Sequence, residues 1–193
     1  MPEITEVFYP KKRAEWRAWL KRHHAKKSEV WVRRFKKAAD QPCISYDELV
    51  EECLCFGWID GIMKKFDDDS NVQRVTRRRE KGTFLSELNR QRVWKLQRLG
   101  LMTDAGIEPI AGQIGSPDDP FEIPDFVLKE LKADPDVWKN FRAFPHFYQR
   151  LKVGWIAEVA RFPSRHAETR KRLDYLIKNT RVGKMYGTIP EVE

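Results

Sequence analysis

Cysteine is scarce, long apolar runs are missing, and the common catalytic signatures are absent. Three cysteines in 193 residues are too few and odd in number for a disulfide framework. That points to a reducing compartment, the cytoplasm. No stretch approaches the roughly 18 consecutive apolar residues of a membrane-spanning helix. The opening MPEITEVFYPKKR has no apolar core of a secretory leader. The chain contains no phosphate-binding loop, no dinucleotide fingerprint and no nucleophile elbow. It shows no internal repeat and no low-complexity run.

Metal-binding patterns also fail. Cys53 and Cys55 would sit about 200° apart on a helix, so they cannot easily share an ion, and no second Cys/His pair stands at zinc spacing. Asp67, Asp69 and Asn71 imitate the opening of a calcium loop. Val72 then stands where that loop needs Gly, and Arg78 stands where it needs Glu. None of His23, His24, His146 and His166 pairs locally with a cysteine. Neither a metal nor a cofactor is expected.

What the chain does have is aromatic surface and charge in blocks. Seven Trp, five Tyr and eleven Phe supply enough area for a core and exclude wholesale disorder. The net charge of +8 alternates along the chain. Residues 11–37 hold twelve basic groups and two acids, and residues 40–69 hold two and nine. Residues 74–98 hold nine basic groups and two acids, 103–136 two and nine, and 161–184 eight and two. Such blocks either neutralise one another across a folded surface or present a basic face to an anionic partner.

The pattern predicts an α+β protein: a small antiparallel sheet flanked by helices, then a C-terminal helical lobe. Trp16, Trp19, Leu20 and His23 recur at helical spacing within residues 10–25. Residues 29–37 read as a strand. Ser45 and Glu48 form a capping box ahead of the apolar stripe Leu49, Val50, Cys53, Leu54, and Gly57 closes that helix in a left-handed turn. Residues 58–66 and 72–79 read as a hairpin. Strict alternation places Asp60, Ile62, Lys64 and Phe66 on one face. Thr83 is positioned to cap the next helix, which Leu85, Leu88, Arg92, Leu96 and Leu99 line and Gly100 ends. A short helix follows Thr103. The boundaries are an N-terminal region 1–111, a Pro/Gly linker 112–124 and a helical region 125–186, with the tail after Gly183 frayed.

One block is specific. Glu51-Glu52-Cys53-Leu54-Cys55-Phe56-Gly57-Trp58-Ile59-Asp60-Gly61 resembles the YdeI/OmpD-associated family, known as bacteriocin-protection proteins. Trp16, Trp19-Leu20, Val30-Trp31, Ile44-Ser45-Tyr46, Lys64, Gln73, Thr76, Arg78, Ser86, Asn89 and Arg92-Val93 extend the resemblance. So do Gly100, Met102, Phe141, Tyr148, Trp155-Ile156, Thr169-Arg170 and Arg172, and it covers most of residues 10–180. The chain departs from the pattern at Arg77 (usually Pro), at Leu85 (usually Trp) and in a longer stretch at 161–168. The resemblance implies a role in stress or bacteriocin protection and no defined reaction.

Core packing explains Phe56, Gly57 and Trp58 but not the polar members. Asp60, Lys64, Gln73, Arg78, Ser86 and Asn89 either line a pocket between sheet and helix or form a satisfied internal network. In the pocket reading, Arg78 offers a planar fork to a carboxylate or phosphate. The expected function is that of a soluble, non-catalytic protein binding a small anionic ligand or a protein partner. One alternative is an enzyme using Asp60, Lys64 and Arg78. The other is nucleic-acid binding through the basic segments 74–98 and 161–184.

Overall fold

The computed structural model describes residues 2–79 and 84–187. The fold is α+β, and the chain divides into two compact units, residues 1–84 with 95–114, and residues 85–94 with 115–193.

The first unit is built on a four-stranded sheet in the order β1-β2-β4-β3. Strands β2 (Glu29–Phe35), β3 (Trp58–Lys65) and β4 (Ser70–Arg77) are antiparallel neighbours, and the two-residue β1 (Val7–Phe8) adds a parallel edge. The register puts Val30, Val32 and Val75 on one face, all fully buried. Helices α1 (Arg13–His23) and α2 (Tyr46–Cys55) pack on each other, and α2 packs on β3. Trp16, Trp19 and Leu20 of α1 are buried. The Trp19 and Trp58 rings meet edge to face at 5.8 Å. Trp16 Nε1 donates to the Leu49 carbonyl and Trp58 Nε1 to that of His24, which satisfies both indoles.

Helix α2 starts where the local chemistry says it must. The Ser45 hydroxyl accepts from the Glu48 amide while the Glu48 carboxylate accepts from the Ser45 amide at 2.8 Å. Gly57 follows at φ +70. After α3 (Glu87–Arg98), short helices α4 (Asp104–Ile107) and α5 (Ala111–Ile114) close the first unit. The expected cap at Thr83 lies outside the described residues. Leu99, assigned to the apolar face of α3, is 59% exposed instead. It lies one residue past the helix, where Gly100 at φ +65 turns the chain.

The second unit takes the first part of α3 and the helices α6 (Asp125–Lys132), α7 (Pro135–Ala143), α8 (His146–Ala160) and α9 (His166–Arg181). The boundaries expected from composition put all of α3 in the N-terminal region, whereas contacts divide it at Trp94. Val127, Leu131, Val137, Phe141, Val153, Ile156, Leu173 and Leu176 form the core of this unit. Asp134 caps α7 by accepting from the amides of Asp136 and Val137. Of the tail beyond Gly183, expected to fray, residues 184–187 are instead packed, and the rest lies outside the described residues. The Lys184 amide bonds back to the Asn179 carbonyl, and the Tyr186 ring meets Tyr148, Trp155 and Tyr175. A large aromatic side chain close to the end of α9 outweighs the usual freedom of a chain end.

Candidate functional site

The six polar residues singled out in the sequence do not share one surface. β3 carries a bulge: Asp60 pairs with Val75 and Met63 with Gln73, so Gly61 and Ile62 together oppose Arg74 alone. One extra residue inverts the alternation beyond it. Asp60 therefore lies on the face of Val75 and Gln73, while Lys64, opposite Val72, lies on the other. The shared face expected for Asp60 and Lys64 is corrected accordingly.

Each residue has an internal contact. Asp60 Oδ2 accepts from the Tyr46 hydroxyl at 2.7 Å. Lys64 Nζ donates to the Pro2 carbonyl and sits over the Trp31 ring. Gln73 Nε2 donates to the carbonyl of Gly61, in the bulge, at 2.6 Å. Arg78, 6% exposed, donates its backbone amide to Gly57 and Nε to the Trp58 carbonyl, while Nη1 has no partner among the described residues. Burial pulls the guanidinium pKa down, and the nearby Cys53 and Asp60 oppose that. Ser86 and Asn89 belong to the second unit. There Ser86 Oγ accepts from the Asn89 amide and Asn89 Oδ1 from Arg92. Replacing Arg78 with Ala is expected to cost about 1–3 kcal/mol in urea denaturation, because the buried Trp58 carbonyl loses its side-chain donor. A change within about 0.5 kcal/mol would mean that the guanidinium holds nothing in the free protein.

A pocket with apolar walls and a buried lysine lies in the helical unit. It has a volume of about 440 Å³ and is lined by residues around the first turn of α3, of α8 and α9, and of the tail. Gly154 allows α3 to approach α8, since a Cβ there would come within 2.5 Å of Glu87 Cβ. Arg150 Nε then reaches Glu87 at 3.1 Å and Gln91 Nε2 reaches the Phe147 carbonyl at 2.9 Å. On the far side, Arg172 stacks over Trp155 and donates to its carbonyl. Leu88, Leu151, Trp155 and Tyr175 supply apolar walls, and Ser86, one of the six, lines the rim.

Two polar groups at this pocket lack a conventional partner among the described residues. Lys152 is 6% exposed, with its ammonium over the Tyr186 ring at 4.2 Å and the Tyr148 ring at 5.1 Å. Burial pushes its pKa down to about 8, with no carboxylate opposing the shift. The Tyr186 hydroxyl is buried without a hydrogen-bond partner among the described residues, and burial raises its pKa, which keeps it a donor. Sequence reasoning misses both. A lysine between Leu151 and Val153 on a helix already rich in apolar residues is the available signal.

The cysteines offer no nucleophile at neutral pH in the block itself. Burial drives the Cys53 thiol well above its usual value and holds that of Cys55 at about 11. All three cysteines are free thiols. Among the described residues no group of three or more His, Cys, Asp or Glu could hold a metal, and no helix is long and apolar enough to cross a membrane.

Neither a curated protein nor a solved structure matches the chain. Two family models do. One, described as a domain of unknown function, DUF8412, matches residues 8–109, just over half of the chain, and contains the block from Glu51 to Gly61. The other, described as Bacteriocin-protection, YdeI or OmpD-Associated, matches residues 120–183. The family suggested by the sequence is therefore matched in the helical end, within residues that supply half of the pocket lining, rather than in the block that carries the resemblance. The chain belongs to the family of the domain of unknown function DUF8412, and its helical end is similar to the bacteriocin-protection, YdeI or OmpD-associated family.

Proposed function

We propose that this bacteriocin-protection-type protein acts as a non-catalytic binder of a small anionic ligand, in the pocket of the helical unit. One observation carries the reading: the Lys152 ammonium, with no acceptor among the described residues, lies over the Tyr186 ring at 4.2 Å, and both residues line the same cavity. A buried cation is costly unless something compensates it, and an anion entering the pocket would do so. Nucleic-acid binding gains less support. Much of the basic charge is spent on neighbours: Arg165 and Arg172 pair with Glu168, Arg170 with Glu130 and Asp174, and Arg74 with Glu29.

The test follows tryptophan fluorescence, since Trp155 lines the pocket, during titration with inorganic phosphate, acetate and benzoate. At least one anion is expected to give a saturable response that Lys152→Met abolishes. No response to any of them, or the same response in the variant, would defeat the reading.

A second reading, an enzyme, rests on the same lysine. With its pKa at about 8, part of Lys152 is a neutral amine near neutral pH, the form that attacks carbonyl groups. Irreversible labelling of Lys152 by an aldehyde with borohydride, at substoichiometric aldehyde, would favour that reading over simple binding.

A further inference from the structure

Resting on the proposed anion site, we infer that the pocket selects a monocarboxylate with an apolar body of aryl size, its carboxylate held by Lys152 Nζ and Tyr186 Oη. Charge sets the limit on the head group. Glu87 is balanced by Arg90 at 2.7 Å and Arg150 at 3.1 Å, so it adds little net charge. Glu158 also lines the cavity. Among the described residues of the lining, Lys152 is thus the one unpaired cation, set against one further carboxylate. One cation can pair with one negative charge, and the second charge of a phosphate dianion would have only Glu158 to face.

Shape sets the body. Pockets of about 300–1,000 Å³ with apolar walls and a few convergent polar groups are those that hold organic ligands. The walls here are Leu88, Leu151, Trp155 and Tyr175, with Lys152 in the same lining. One ammonium and one hydroxyl can serve the two oxygens of a carboxylate. The glycine at 187 matters in the same place, since a Cβ there would come within 3.0 Å of Lys152 Nζ.

Binding of this kind takes up a proton at alkaline pH. In the free protein Lys152 loses its proton around pH 8. A carboxylate beside it favours the charged form and raises that value. The groups around Lys152 do not blur the effect. Tyr148 on α8 and Tyr186 on the tail both have raised pKa values, and Glu87 on α3 is held by arginines. Glu158 of α8 and Tyr175 of α9 complete the surroundings. Affinity is therefore flat from about pH 6, where the ligand's carboxylate is fully ionised, up to about pH 8, and falls about tenfold per pH unit above that until the pKa of the complex is reached.

Calorimetric titration of the full chain with 3-phenylpropanoate, inorganic phosphate and 3-phenylpropylamine tests this. Phenylpropanoate is expected to bind with one site, and the amine is not. Lys152→Met weakens binding at least tenfold, and Tyr186→Phe, which removes a hydroxyl that no described residue bonds in the free protein, weakens it several-fold. At pH 9 the heat depends on the buffer's ionisation enthalpy, reporting proton uptake that Lys152→Met removes. If Lys152→Met does not fold, Tyr186→Phe and the buffer dependence of the wild type still decide. Phosphate binding through Lys152 without phenylpropanoate binding would overturn the carboxylate class and leave the anion site standing. Silence from both anions would overturn both. Phenylpropanoate binding indifferent to both variants and to pH would place it elsewhere and end the inference.

Discussion

Replacing Gly57 with alanine is expected to destabilise the protein by about 2–5 kcal/mol in urea denaturation, the sum of two separate penalties. Gly57 has φ +70, where an L-residue costs about 1–2 kcal/mol. A Cβ at this position would also fall 2.2 Å from the Ala105 carbonyl oxygen, so α4 must move. Forced repacking of that kind costs about 1–3 kcal/mol. The clash is with backbone and cannot be relieved by rotating a side chain. α4 has little room to retreat. The Thr103 amide and hydroxyl both donate to the Cys55 carbonyl, and a Cβ on Gly106 would meet that same oxygen at 2.3 Å. Gly100 separates the two penalties. It has φ +65, and no atom lies within 4 Å of where an alanine methyl would sit, so Gly100→Ala should cost only about 1–2 kcal/mol. Equal losses at the two positions would show that the close approach of α2 and α4 contributes nothing.

Replacing Glu52 with alanine is expected to cost about 2–3 kcal/mol, less than the roughly 3–5 kcal/mol of a fully buried pair. Its carboxylate is 1% exposed and receives Arg13 Nε at 2.6 Å and Arg17 Nη1 at 2.7 Å. Arg13 also pairs with Glu51 at 2.7 Å, and Lys95 reaches Glu51 at 3.4 Å. The arginines keep about a third of their side chains exposed, so water partly compensates them when Glu52 is gone. That exposure is the reason for the reduced figure. The loss should persist in molar salt, because a buried carboxylate is screened far less than surface charge. A loss that vanishes at high salt would mean that the cluster is a surface feature.

The charge clusters show why net charge alone carries no function here. Basic residues 13 and 17 and acidic residues 51 and 52 come from the first two blocks of opposite sign, and folding pairs them. The same happens in the last basic block, where Arg170 takes Glu130 and Asp174. Mutual neutralisation is displayed by several members of these blocks, and Lys152, which has no ion pair among the described residues, sits in none of them.

Features governed by neighbours in sequence are legible from the residues alone. The capping box at Ser45 and Glu48, the left-handed Gly57 and the Trp16, Trp19, Leu20 stripe depend on φ/ψ preferences and helical spacing within a few residues. The α+β class follows from them. The bulge at Gly61 and Ile62 is not legible, because it exists only in the pairing of β3 with β4, and it alone sends Lys64 to the face opposite Asp60. The pocket is hidden for a related reason. Its lining comes from residues 86–88, 151–158, 175 and 186–187, segments that only tertiary packing brings together. Local sequence thus determined where helices start and stop and which residues seek the core. Long-range pairing decided which polar groups find partners among the described residues, and so set Lys152 and Tyr186 together at the edge of one cavity.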